Sequence, residues 1–131
     1  MAIDPEVREL AEGRNFAAFT SLLPGGSPMT HVMWVDCDEN HILVNTEVHR
    51  QKYKNVLADP RVAVMIMDSD DDQRYADIRG RVVERITGPQ ARDHIEKLAW
   101  RYMGQPFSAR LIRSERVILR IQPERQRVRH V

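Results

Sequence analysis

A small, mainly β barrel of about six antiparallel strands with flanking helices is the fold class this sequence predicts. Three observations carry the prediction. Short apolar runs with strand-like alternation occupy most of residues 15–86, tight turn signals such as Pro24-Gly25-Gly26-Ser27 separate them, and helical spacing is confined to three separated stretches. At 131 residues the chain has the length of one ordinary domain, 1–131, which can bury a core without metal or disulfide staples.

Taken in order, Asp4 and Pro5 read as N-cap and first residue of a helix, with Val7, Leu10 and Ala11 recurring at helical spacing up to Gly13. "NFAAFTSLL" (15–23) and "PMTHVMWVD" (28–36) flank the Pro-Gly-Gly-Ser turn and predict a hairpin. "DEN" (38–40) is a second turn, leading into the strand "HILVNTE" (41–47). A short basic helix follows, and "RVAVMIMD" (61–68) is a third apolar strand. Beyond the acidic loop "DSDDDQ", "YADIRGRVVERIT" alternates, which predicts Ala76, Ile78, Gly80, Val82 and Glu84 on one face. Gly88-Pro89 open a helix whose Ala91, Ile95, Leu98, Ala99 and Tyr102 share a face and whose C-cap is Gly104. The close, "SERVILRIQPERQRVRHV", reads as a strand to Ile121, a break at Pro123 and a final edge strand.

A composition 42% hydrophobic and 30% charged excludes disorder as a description of the chain. Twenty Lys and Arg against nineteen Asp and Glu leave a net charge of +1, too balanced for the broad positive field of generic nucleic-acid binding. Any basic patch is therefore local. Cys37 is the single cysteine, so one chain can build neither a disulfide nor a thiolate zinc cluster, and a reducing cytoplasm fits. No apolar leader and no long apolar run occur, so neither export nor membrane spanning is expected.

The local basic patch is in "NTEVHRQKYKNVLADPRVAV" (45–64), where Thr46, Arg50, Gln51, Lys52 and Lys54 gather at a strand-to-helix junction. Orphan backbone N–H groups and the positive end of the helix dipole favour an anion there, and a phosphate suits both the Arg fork and the Lys point charge. The alternative is that Arg50, Lys52 and Lys54 coat the solvent face of a helix that buries Tyr53, Val56 and Leu57.

The string "LVNTEVHRQKYKNVLADPRVAVMI" resembles the signature of the split β-barrel flavin- and deazaflavin-binding superfamily that includes the pyridoxamine 5'-phosphate oxidases. The order of elements is similar along nearly the whole chain, and the "NT…R.K..N…DPRV" form is most similar to the coenzyme F420-dependent oxidoreductase branch. The tail "PERQRVRHV" does not reproduce the C-terminal substrate-binding segment of the true oxidases. The resemblance implies an FMN-binding-type split barrel working as a homodimer, with the cofactor in a groove between copies. It implies that Arg50 and Lys52 hold the phosphate beside Thr46 and Gln51, and that Thr30, His31, Val32 and Met33 meet the ring. Arg79, Trp100, Arg101 and Tyr102 would reach the partner's cofactor. The implied activity is hydride transfer from reduced F420 to a conjugated small-molecule substrate. An FMN-binding protein or FMN-dependent oxidase is the alternative within the fold, and a non-catalytic cofactor carrier or sensor the alternative of another class.

No catalytic acid or base is assigned by sequence. His31 is the candidate, able to orient a carbonyl or donate a proton from beside the ring, against a barrel histidine with no such role. The five histidines form no i, i+4 pair and are expected on the surface or on strands, without a metal. "DSDDDQ" lacks the Gly and distal Glu of a calcium loop, and Cys37 has no basic neighbour in sequence to activate it. The arginines beyond Ile121 have no interleaved aromatics, which disfavours a single-strand nucleic-acid platform. Whether Trp34 and Trp100 face a ring or the core is left open by the sequence, the core being the expected place for either.

Overall fold

A computed structural model describes residues 1–131. Its elements are α1 (Pro5–Glu12), β1 (Ala17–Leu22), β2 (Pro28–Met33), β3 (Asp36–Cys37), β4 (Ile42–Glu47), α2 (Gln51–Ala58), β5 (Arg61–Met67), β6 (Arg74–Ile86), α3 (Pro89–Met103) and β7 (Arg116–His130), with a single 3-10 turn at Ala109–Leu111. The seven strands pair antiparallel in the order β2-β1-β5-β6-β7-β4-β3 and curl into a half-barrel. The strand beyond the six expected is the two-residue β3. No helix is long and apolar enough to cross a membrane.

The concave face of the sheet holds the main core. Phe19, Val44, Val64, Ile66, Ile78, Val117, Leu119 and Ile121 meet there, closed by Val7, Leu10 and Ala11 of α1 and by Val56 of α2. Each such side chain contributes about 1.5–3 kcal/mol by leaving water. On the opposite side α3 lies across β4 and β7, setting Ala91 against Leu43 and Ile118. Strands covered on both faces lose the alternation of half-exposed ones, and every residue of Ile42–Glu47 is buried. The helical face predicted for α3 is the buried one, and Gly104 takes the left-handed C-cap conformation at φ 69°.

Two expectations are corrected where β6 meets β7. The strand does not break at Pro123: β7 runs on to His130, with Gly80 opposite Pro123 and Arg79 opposite Arg125. Glu124 is thus an extra residue in the ladder, and this bulge accommodates a residue that has no N–H to donate. Glu84 does not share the face of Ala76, Ile78, Gly80 and Val82, because a second irregularity between Val82 and Glu84 resets the alternation and leaves Glu84 exposed. On α2, Leu57 is exposed and Asn55 buried, since Asn55 donates to Ser21 Oγ at 3.0 Å and ties the helix to β1.

Gly80 is required by close approach. A Cβ there would collide with the Gln122 carbonyl oxygen and lie 3.1 Å from Pro123 Cα, both of them backbone that cannot swing aside. Gly80→Ala is expected to cost about 1–3 kcal/mol, seen as a lower urea midpoint with an unchanged slope.

Candidate functional site

The chain leaves β4 at Glu47, turns through Val48-His49-Arg50 and enters α2 at Gln51. No side chain caps this helix, and its first turn carries no acid. The amides of Gln51 and Lys52 have no acceptor in the chain, so the helix opens with unpaired donors at its positive end.

Beside that opening lies a pocket of about 320 Å³, a size suited to a small molecule. Val32, Met33, Trp34, Ile95, Leu98 and Phe107 form much of its apolar wall, while Asn45, Thr46, Arg50, Lys52 and Arg116 are its polar side. The aromatic wall is braced from behind, with Trp34 stacked on Tyr102 at 5.1 Å between ring centres and Phe107 edge-on to Trp34 at 6.4 Å. A larger hollow of about 600 Å³ beneath α1 has only Leu10 and Phe16 as apolar lining and offers no wall for a ring.

The charges in the pocket do not balance. Arg116 is buried and held in place: its Nε donates to Asn45 Oδ1 at 2.8 Å, Nη1 lies 3.4 Å from Glu47 Oε2, and the guanidinium sits 5.4 Å above the centre of the Phe107 ring. Glu47 is the single acid in reach, and its other oxygen is occupied by the amides of Arg113 and Ser114 at 2.7 Å each. Burial alone would raise Glu47, but those amides and Arg116 hold its carboxyl below the ordinary value. Arg50 and Lys52 make no ion pair. Burial, then the charges of Arg50 and Arg116, push the Lys52 ammonium below its ordinary value. A lysine so placed gains by meeting an anion.

Behind the wall a second charged cluster fixes α3. Asp36, 2% exposed, accepts from His94 Nε2 at 3.0 Å, Lys97 Nζ at 3.0 Å and Arg101 Nη2 at 2.8 Å. Burial alone would raise this carboxyl, but the three donors outweigh it and hold it well below the usual carboxylate range. Arg101 also donates to the Val35 carbonyl at 2.9 Å, and the Tyr102 hydroxyl donates to the Asn15 carbonyl at 2.5 Å.

Of the residues singled out by sequence, Val32, Met33, Thr46, Arg50 and Lys52 line this one pocket. His31 stands beside it on β2. Burial, then the charges of Lys52 and Arg50, push its imidazole below the ordinary value, which leaves it neutral at pH 7. Thr30 bonds Thr20 across the β1–β2 hairpin, and Gln51 bonds Asn55 within α2, so neither lines the pocket. Arg79 is elsewhere, paired in register with Arg125 on the β6–β7 ribbon. Trp100 is 55% exposed and bonds Glu96 on its own helix, so it is not a core residue, and Arg101 and Tyr102 are committed inside the chain. Trp34 lines the pocket. His94 is buried on a helix, against the surface or strand setting expected for the histidines. Cys37 does have a basic neighbour, Arg8 Nη1 at 3.7 Å, yet burial pushes its thiol up to about 11, which keeps it un-ionised.

Sequence reading missed Arg116, Asn45 and Phe107, and left Trp34 between ring and core. Arg116 had a signal, as the charge directly before the apolar run "VIL". Phe107 had none, since it follows the cap of α3 in an irregular segment.

The family described as pyridoxamine 5'-phosphate oxidase matches residues 3–130. No curated protein matches. Among solved structures, one named F420 reductase is 27% identical, covers 95% of this chain and 98% of its own, and superposes with a TM-score of 0.82. The conserved hypothetical protein Rv2991 of Mycobacterium tuberculosis is 23% identical over 99% of this chain and 86% of its own, with a TM-score of 0.78. HupZ of Group A Streptococcus is 17% identical over 95% and 91%, with a TM-score of 0.65. The last two likenesses speak to fold alone.

The depressed Asp36 carboxyl sets a pH dependence with a definite sign. Its stabilising contribution is complete above the ordinary carboxylate value of about 4 and is lost as pH falls towards its lower folded value. Asp36→Asn is expected to lose about 3 kcal/mol at pH 7 by leaving its cationic partners unanswered. Urea unfolding at a series of pH values should show the gap to the unmutated protein closing below about pH 4.

Proposed function

The chain belongs to the pyridoxamine 5'-phosphate oxidase family, and from that membership we propose that it is a coenzyme F420-dependent oxidoreductase, passing hydride from the reduced deazaflavin to a conjugated small-molecule substrate. The observation that carries the reading is the convergence of Arg50, Lys52 and Arg116 on one apolar-walled pocket with a single nearby acid. That donor set fits a planar cofactor carrying a phosphate. The likeness to the protein named F420 reductase, over nearly the full length of both chains, supports F420 over FMN.

When bound, the reduced deazaflavin supplies the carbon from which hydride leaves; the chain's own residues bind, orient and shield. Arg50 and Lys52, with the free amides of Gln51 and Lys52, take the phosphate. Arg116 adds a third charge whose direction Asn45 and Phe107 fix, and Thr46, whose hydroxyl has no partner in the chain, is free to bond the ligand. Val32, Met33, Trp34, Ile95, Leu98 and Phe107 present a dry wall to the ring, which fixes its plane and keeps bulk water from its face. Among the pocket's own side chains none is an acid or a histidine, so chemistry here depends on position and electrostatics. Neutral His31 at the rim is the nearest group able to orient a substrate carbonyl.

Val32 is 74% exposed and Phe16 is also exposed at the mouth of the pocket. An uncovered apolar rim supports a homodimer in which the second copy covers the ring, and Arg79 and Trp100 would then reach a cofactor only from the partner copy. The single free cysteine supports a reducing compartment, and the proposed location is the cytoplasm. FMN remains the second reading because family membership alone does not separate the two cofactors and the same cations would hold its phosphate.

Titration of the protein with F420 and with FMN, followed by fluorescence, is expected to show preference for F420; preference for FMN would move the assignment to the second reading. Arg50→Ala and Lys52→Ala are each expected to weaken binding by about 1–3 kcal/mol while the protein stays folded. Oxidation of reduced F420 is expected with at least one of a panel of quinones and enones. Tight binding without turnover would instead make the protein a carrier.

A further inference from the structure

The pocket's polar side is wired to the buried cluster on α3. Asn45 donates from Nδ2 to the Ala91 carbonyl at 3.0 Å, meets His94 Nδ1 at 3.1 Å through the same nitrogen, and accepts Arg116 Nε through Oδ1 at 2.8 Å. Two of those partners fix which way the amide points. A carbonyl oxygen accepts only, so the NH₂ end faces Ala91, and a guanidinium nitrogen donates only, so the oxygen faces Arg116. The second N–H of Asn45 therefore points at His94 Nδ1, which must accept. His94 must then carry its proton on Nε2, where it donates to Asp36 at 3.0 Å. His94 is 8% exposed and has no other polar contact.

We infer that His94 is a positioning residue for the anion grip: as the neutral Nε2–H tautomer it holds Asn45, and through Asn45 it aims the Arg116 guanidinium into the pocket. Remove the acceptor at Nδ1 and one Asn45 N–H is left buried without a partner. Ala91 and Arg116 alone then restrain the amide, so Asn45 is held less firmly and the Arg116 Nε–H loses its fixed acceptor. A proton on Nδ1 has the same effect, since it faces the Asn45 NH₂. The charges bearing on this imidazole are Asp36 from β3, Lys97 and Arg101 from its own helix, and Arg116, tied to Glu47, from β7. The sequence holds the pattern in plain form: His94 lies on the apolar face of α3 beside Ala91, Ile95 and Leu98.

Only the affinity arm of the test rests on the cofactor reading; the other two arms use the ligand-free chain. First, long-range ¹H–¹⁵N correlation of the histidine-labelled protein at pH 7.5 should show His94 protonated at Nε2 and bare at Nδ1. A proton on Nδ1 would overturn the inference. Second, the Arg116 Nε–H signal should be protected from solvent exchange in the unmutated protein and in His94→Asn, whose side-chain oxygen can accept from Asn45, and unprotected in His94→Leu. Unchanged protection in His94→Leu would overturn it, and His94→Ala replaces that variant if it does not fold. Third, in F420 titration His94→Leu should weaken binding by about tenfold and His94→Asn by less than about threefold. In an Arg116→Met background the His94→Leu loss should shrink below about twofold, whereas an additive loss would show that His94 does not act through Arg116. If the unmutated protein binds neither F420 nor FMN, the cofactor reading falls, and the first two arms still decide the role of His94.

Discussion

Arg50, Lys52 and Arg116 converge on one pocket with only Glu47 to answer them, and that surplus of positive charge is the constraint around which the site is arranged. Charges brought out of water are ordinarily neutralised by partners. Elsewhere this chain obeys the rule closely: Asp36 has three donors, and Arg74 has Glu6, Glu9 and Asp68. Lys52, half-buried and unpaired, does not obey it. The mismatch lies where β4 hands over to α2, at a helix opening with free amides, so backbone and side chains favour the same kind of ligand.

The fold makes that arrangement affordable. β4 and the start of β7, residues 116–119, run between the barrel core and α3, buried on both sides, so Thr46 and Arg116 start from a rigid backbone. α3 is pinned by the Asp36 cluster and by the Tyr102 hydroxyl, and it carries Ile95 and Leu98 to the pocket wall. Glu47 shows how the two halves are joined: its carboxylate caps the amides of Arg113 and Ser114 and steadies Arg116 from the same position. Stability and binding thus share residues, which is common where a site is preorganised before the ligand arrives.

Much of the fold was legible in the sequence, because alternation, turn residues and helical spacing report local geometry directly. The β1–β2 hairpin, the α3 face and its Gly104 cap were all readable in that way. Pro123 and Glu84 were misread because a bulge changes register without changing composition, and only the partner strand determines where the extra residue goes. The site was legible in part. Asn45, Thr46, Arg50 and Lys52 are close in sequence and close in space, whereas Phe107 and Arg116 come from distant segments, Arg116 arriving only when β7 pairs with β4. Arg79 and Trp100, expected to act from a partner copy, lie outside this pocket within one chain. Burial of His94 was implicit in its helical position, yet its hydrogen-bond partners lie 49 and 58 residues away.

A crystal structure with saturating F420 is the most direct measurement. The account predicts the cofactor's phosphate between the Arg50 and Lys52 side chains and the opening amides of α2, with the ring against Val32, Met33 and Trp34. A phosphate seated anywhere else, with Lys52 still unpaired, would contradict it.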